Sequence, residues 1–96
     1  MSKVKILRAM EHVIGKPASQ WGGGPEPMSG KEWKKRGEEY GTNAVLVVVH
    51  DGGAAAPYFN YDYECYSMID KMNAALEKIG YYAEPCTSWY TGIYKI

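Results

Sequence analysis

Ala44-Val45-Leu46-Val47-Val48-Val49-His50 is the stretch that decides the fold. Asn43 opens this aliphatic, largely β-branched run and the turn signal Asp51-Gly52-Gly53 closes it. A half-wet strand alternates apolar with polar residues, whereas an unbroken run reads as a strand buried on both faces or nearly so. Such a strand needs cover above and below, and the flanking sequence must supply it.

The partner strands lie downstream. Tyr81 to Cys86 and Trp89 to Ile96 form a predicted hairpin around Thr87-Ser88. Pro85 has no N–H to give to a ladder, which assigns the first of these strands to an edge. The last strand holds Trp89, Tyr90, Ile93 and Tyr94 and is placed in the middle, antiparallel to both others. Between the central run and the hairpin, Cys65, Met68, Ile69, Met72, Ala75, Leu76 and Ile79 recur at spacings of three and four, the stripe of an amphipathic helix. Asn60 is the expected N-cap, with Asp62 and Glu64 in the first turn, where the helix dipole favours anions, and Gly80 as the stop. Ala54 to Pro57 reads as a small-residue loop.

Upstream, Val4, Leu7, Met10 (or Glu11) and Ile14 predict a helix over 3–14 that ends at Gly15. Residues 15–29 carry Gly22-Gly23-Gly24, Pro25 and Pro27 and read as a long loop. Ser29 and Glu32 stand at capping-box spacing before a second helix, expected to run to about Tyr40 and stop at Gly41. Its inward face would be Trp33, Gly37 and Tyr40, with Lys34/Glu38 and Lys35/Glu39 as i,i+4 pairs towards water. The expected architecture is a single α+β domain over 1–96. Residues 1–43 form a helical part and 44–96 a strand-helix-strand-strand core. Its small three-stranded, mainly antiparallel sheet has the long amphipathic helix on one face, and the two shorter N-terminal helices cover an edge or the other face.

Composition excludes several classes. With 46% hydrophobic and 23% charged residues and zero net charge, the chain is not of the disordered type. No stretch approaches the ~20 apolar residues of a membrane helix, so no membrane is expected. Met1-Ser2-Lys3-Val4-Lys5 leads into a mixed helix rather than an apolar signal-peptide core. Without a secretory signal, Cys65 and Cys86 are expected to be reduced, in a cytoplasmic protein (the host cytoplasm if phage-encoded). Cys65, Cys86, His12 and His50 share no metal-ligand spacing, so neither a metal nor a cofactor is expected. The glycine triplet is no phosphate loop, because no G-x-x-x-x-G-K-[ST] pattern contains it.

The zero net charge hides an asymmetry. Residues 1–50 hold eight Lys or Arg against five acids (+3), and residues 51–96 hold three against six (−3). No Lys or Arg lies between Arg36 and Lys71, an interval with six acids: Glu38, Glu39, Asp51, Asp62, Glu64 and Asp70. Tyr58, Tyr61, Tyr63 and Tyr66 interleave with the later ones. Such a surface suits no direct contact with nucleic acid, whose phosphates demand Lys and Arg. It suits a protein partner with a basic surface, steered by charge and anchored by Tyr.

The expected role is therefore a small non-enzymatic protein-binding module using Glu38, Glu39, Tyr58, Tyr61, Asp62, Tyr63, Glu64, Tyr66 and Asp70. A phage-type inhibitor that mimics nucleic acid in the basic groove of a host defence complex, such as a CRISPR assembly, fits that pattern. Two alternatives stand beside it. Trp21, Tyr58, Trp89 and Tyr90 could line an aromatic small-ligand pocket, such as one for a nucleotide, at a homodimer interface. His50 and Asp51, followed by two glycines at a strand end, could touch a ligand or serve a small enzyme, with His50 as a general base of raised pKa. No catalytic motif supports this last reading, and neighbouring strand residues point to opposite faces.

Overall fold

The computed structural model describes residues 2–96, with the Ser2 side chain left aside. The β-branched run forms β1 (Leu46–Val49), buried along its whole length. The hairpin forms β2 (Tyr81–Pro85) and β3 (Tyr90–Lys95). The sheet order is β1-β3-β2 with both pairings antiparallel, so the C-terminal strand is central and the Pro85 strand is an edge. The registers Val48↔Thr91 and Ala83↔Ile93 fix which side chains share a face.

Both sheet faces are covered. On one, Leu46, Val48, Ile93 and Tyr81 pack with Ile6, Met10, Met72 and Leu76. These last four come from two helices of equal length, α1 (Ser2–Ile14) and α4 (Tyr66–Lys78), each of 13 residues. Both helices therefore lie over the same face. On the other face, Val47, Val49 and Tyr90 pack against Trp33 of the short helix α2 (Gly30–Lys35). Tyr94 is accommodated on that side because Gly92 has no Cβ: one added there would lie 2.9 Å from the Tyr94 ring.

Several local expectations change. The stripe of α1 is Ile6, Met10 and Val13, flanked by Leu7 and Ile14, and Val4 is 46% exposed. The Ser29–Glu32 capping box forms with both of its hydrogen bonds, and the Ser29 N–H and hydroxyl, both donating to the Glu32 carboxylate, hold that carboxyl below its usual range. The helix behind it ends at Lys35 rather than near Tyr40, because Gly37 adopts φ +86 and turns the chain. Lys34/Glu38 and Lys35/Glu39 therefore share no helical face, and Tyr40 is 57% exposed. Ala54 to Pro57 is not a plain loop: Ala56–Phe59 form a one-turn helix, α3, with Pro57 in its first turn and Ala56 and Phe59 buried. Asn60 caps a separate 3₁₀ turn, Tyr61–Tyr63, and α4 starts only at Tyr66.

The segment 15–29 has a structural task. Trp21 is 3% exposed and joins the α1/α4 core, with its indole N–H donating to the Lys16 carbonyl at 2.9 Å. Met28 exchanges two backbone hydrogen bonds with Val47, at 3.1 and 2.6 Å, and thereby closes the outer edge of β1. Gly23 and Gly53 permit close backbone approach: an added Cβ would meet the His50 carbonyl carbon at 2.8 Å and the Trp21 oxygen at 2.6 Å, respectively.

Candidate functional site

The expected site residues fall into three separate places. Tyr61, Asp62, Tyr63, Glu64 and Tyr66 form one exposed turn between α3 and α4. Asp70 is exposed on α4, one turn beyond Tyr66. Tyr58 precedes this group, is half-buried and packs against the core. Glu39 lies elsewhere, bordering a cleft of about 330 Å³ with Tyr40, Glu84, Cys86 and Tyr94. Cys86 and Tyr94 pack with the α2-covered core, so this cleft belongs to the other sheet face.

The exposed turn is held by identifiable bonds. The Asn60 side-chain oxygen accepts from the Asp62 N–H at 2.9 Å, and its amide N–H donates to the Ser88 carbonyl at 2.8 Å. The second bond ties the turn to the tip of the β2–β3 hairpin. Glu64 then takes a left-handed conformation, φ 56 and ψ 23, the only non-glycine positive φ among the described residues. A side chain in that region costs on the order of 1 kcal/mol. It lets the chain turn out of the 3₁₀ turn into α4, and Cys65, whose thiol donates to the Tyr63 carbonyl at 3.5 Å, precedes the helix. Tyr61, Tyr63 and Tyr66 stay 50%, 46% and 55% exposed, with two carboxylates between them. Tyr in a folded protein usually buries its ring, so three exposed phenols within six residues form a local apolar surface with polar tips.

Trp21, Trp89 and Tyr90 do not combine with Tyr58 into one pocket. Trp21 and Tyr58 belong to the α1/α4 side, and Tyr90 is buried on the α2 side. Trp89 is 37% exposed at the hairpin tip, its ring 4.5 Å from Tyr90 and 6.0 Å from Trp33. Arg36 lies over the far aromatic of this stack, 4.8 Å from the Trp33 ring centre.

His50 is fully buried and its partner is not Asp51. Its Nε2 lies 2.9 Å from the Thr91 hydroxyl, its ring stacks on Phe59 at 5.7 Å, and its Nδ1 has no hydrogen-bond partner. The expectation of a raised pKa is overturned. Burial pushes the imidazole down to about 4, and the exposed Asp51 opposes that only weakly. His50 is thus neutral near pH 7 and engaged in joining β1 to β3. In the α2-side cleft, burial first, then the neighbouring Cys86 and Glu84, push the Tyr94 hydroxyl up to about 12. Burial likewise raises the Cys86 thiol, which leaves it a weak nucleophile.

Among the described residues no group of three or more His, Cys, Asp or Glu is placed to hold a metal ion, and no helix is long and apolar enough to cross a membrane. Compared with protein-family models, characterised proteins and solved structures, the chain finds no match. Function must therefore be argued from surface chemistry.

Proposed function

We propose that this protein is a non-enzymatic binding module whose Tyr61–Tyr66 turn docks on a basic surface of a protein partner. The observation that supports it most is the exposure of three phenols around two carboxylates on a turn braced by Asn60. A braced turn loses little conformational freedom on binding, so more of its contact energy survives as affinity. Tyr supplies large contact area with few rotatable bonds, and the carboxylates steer a cationic partner. Asp70 extends the acidic patch along α4, whereas Glu39 lies apart from it on the other sheet face.

A partner surface rich in Lys and Arg is what a nucleic-acid-binding groove offers. The finer reading is an inhibitor of the phage type that occupies such a groove in a host defence complex and excludes DNA or RNA. The test is a competition assay against a panel of nuclease complexes. Saturating protein should displace labelled duplex from a susceptible complex, and Asp62→Lys/Glu64→Lys should abolish displacement. Displacement undiminished in that variant contradicts the docking surface. Direct binding of the free protein to the duplex contradicts the mimicry.

A further inference from the structure

A second surface joins the basic half of the chain to the C-terminal end of α4. α1 and α4 pack side by side, and between their outer faces runs a groove of about 520 Å³. Its floor is apolar: Ala9 from α1, and Ala74, Ala75 and Ile79 from α4. The three alanines leave the trough empty where larger residues would fill it. Its rim is cationic or neutral, from Lys5, Arg8, His12 and Lys78, with no acid among the lining residues.

Helix stability explains only part of this rim: His12 stands in the last turn of α1, where a cation is favoured. Lys78 stands in the last turn of α4, where the dipole welcomes a cation. Lys5 stands in the first turn of α1, where the dipole opposes a cation and no acid offsets it, and Arg8 stands mid-helix, beyond the dipole's help. Lys5, Arg8 and His12 recur at i, i+3 and i+7, one side of the helix. The trough continues beyond α1, because Arg8 and His12 also border a depression of about 460 Å³ that adds Lys16. The one acid there, Glu11, has its carboxylate accepting the Ala18 N–H at 2.6 Å.

We infer that the α1/α4 groove is a second docking site, and that its occupant is an acidic amphipathic helix of a partner protein. Charge complementarity and shape both select it. A rod with an apolar stripe fills a trough with an apolar floor, and carboxylates flanking that stripe meet the rim cations. A bilayer surface is flat and cannot enter the trough, and a phosphate backbone leaves the alanine and isoleucine floor unused. With the acidic turn at the N-terminal end of α4 and this groove at its C-terminal end, the protein would bridge two partners of opposite charge. The groove does not depend on the Tyr61–Tyr66 surface.

The test pans a display library of randomised helices of about 18 residues, roughly five turns, against the full chain. Enriched sequences are expected to combine an i, i+3/i+4, i+7 apolar stripe with flanking Asp or Glu. For a labelled enriched peptide, Arg8→Glu/Lys78→Glu should weaken binding by about tenfold or more. Ala74→Arg discriminates further, since it adds a cation yet fills the groove, so affinity should fall. Asp62→Lys/Glu64→Lys should leave it unchanged, which separates this site from the proposed acidic one. Circular dichroism checks that each variant folds, as expected for substitutions at exposed positions. Enrichment of non-acidic sequences, no enrichment at all, unchanged affinity in Ala74→Arg, or binding confined to phosphatidylglycerol vesicles would each overturn the inference.

Discussion

Lowering the pH should destabilise this protein chiefly through His50. The imidazole is fully buried, bonded to Thr91 through Nε2, stacked on Phe59, and unpartnered at Nδ1. Its pKa falls from an ordinary 6.5 to about 4 on folding, mainly because burial penalises the charged ring. Near pH 7 both folded and unfolded states hold it neutral. Between 6.5 and about 4 the unfolded chain takes up a proton that the folded chain refuses, so stability falls as pH falls through that window. At about 1.4 kcal/mol per pH unit, the full loss is about 3 kcal/mol, a large share of the roughly 5–15 kcal/mol of a typical domain. Urea unfolding from pH 7 to pH 4, compared between wild type and His50→Gln, isolates it, because carboxylates common to both proteins cancel. The stability advantage of wild type over His50→Gln should shrink by about 3 kcal/mol across that range. An advantage that stays constant with pH would mean that His50 titrates alike in both states, contrary to its burial.

Three further outcomes follow from packing. Trp33→Ala should cost about 3–5 kcal/mol in denaturant unfolding, because Trp33 is wholly buried and anchors the α2-covered sheet face. Gly30→Ala should destabilise by at least about 1–3 kcal/mol despite the better helix propensity of Ala, as an added Cβ would lie 2.5 Å from the Ala44 oxygen and 2.7 Å from the Thr42 oxygen. Removing Ile93 to Ile96 should abolish cooperative thermal unfolding, since β3 is the central strand and Ile93 is fully buried in its core; a truncated protein with a sharp transition would contradict the strand order.

The sheet was legible because its signals are local and redundant. The Leu46–Val49 run announces two-sided burial, Pro85 announces an edge, and the stripe through Ile69, Met72 and Leu76 announces the covering helix. The capping box needs only Ser29 and Glu32 at the right spacing. What escaped depends on distant partners or on choices between equal signals. Gly37 and Gly41 are both glycine stops, and only the turn that follows α2 selects the first. Met28 closes the β1 edge through its backbone, which no side-chain pattern reports. The helix expected to start near Asn60 is delayed to Tyr66, because the Asn60 side chain bonds across to Ser88 at the hairpin tip and Glu64 turns left-handed. Of the expected site, the Tyr61–Tyr66 turn was visible as alternating Tyr and acid, while the displacement of Glu39 to another face followed from the early end of α2. His50 and Asp51 are adjacent in sequence, and the burial that separates their environments is a tertiary property.

Docking through the acidic tyrosine turn is best tested by partner capture at two ionic strengths. Tagged wild-type protein and the Asp62→Lys/Glu64→Lys and Tyr61→Ala/Tyr63→Ala variants would be compared, each checked for an unchanged unfolding midpoint, since these positions are exposed. A basic partner is expected to be held by wild type at low salt, released as salt screens the carboxylates, and lost in both variants. A partner retained equally by wild type and both variants would contradict docking through this turn.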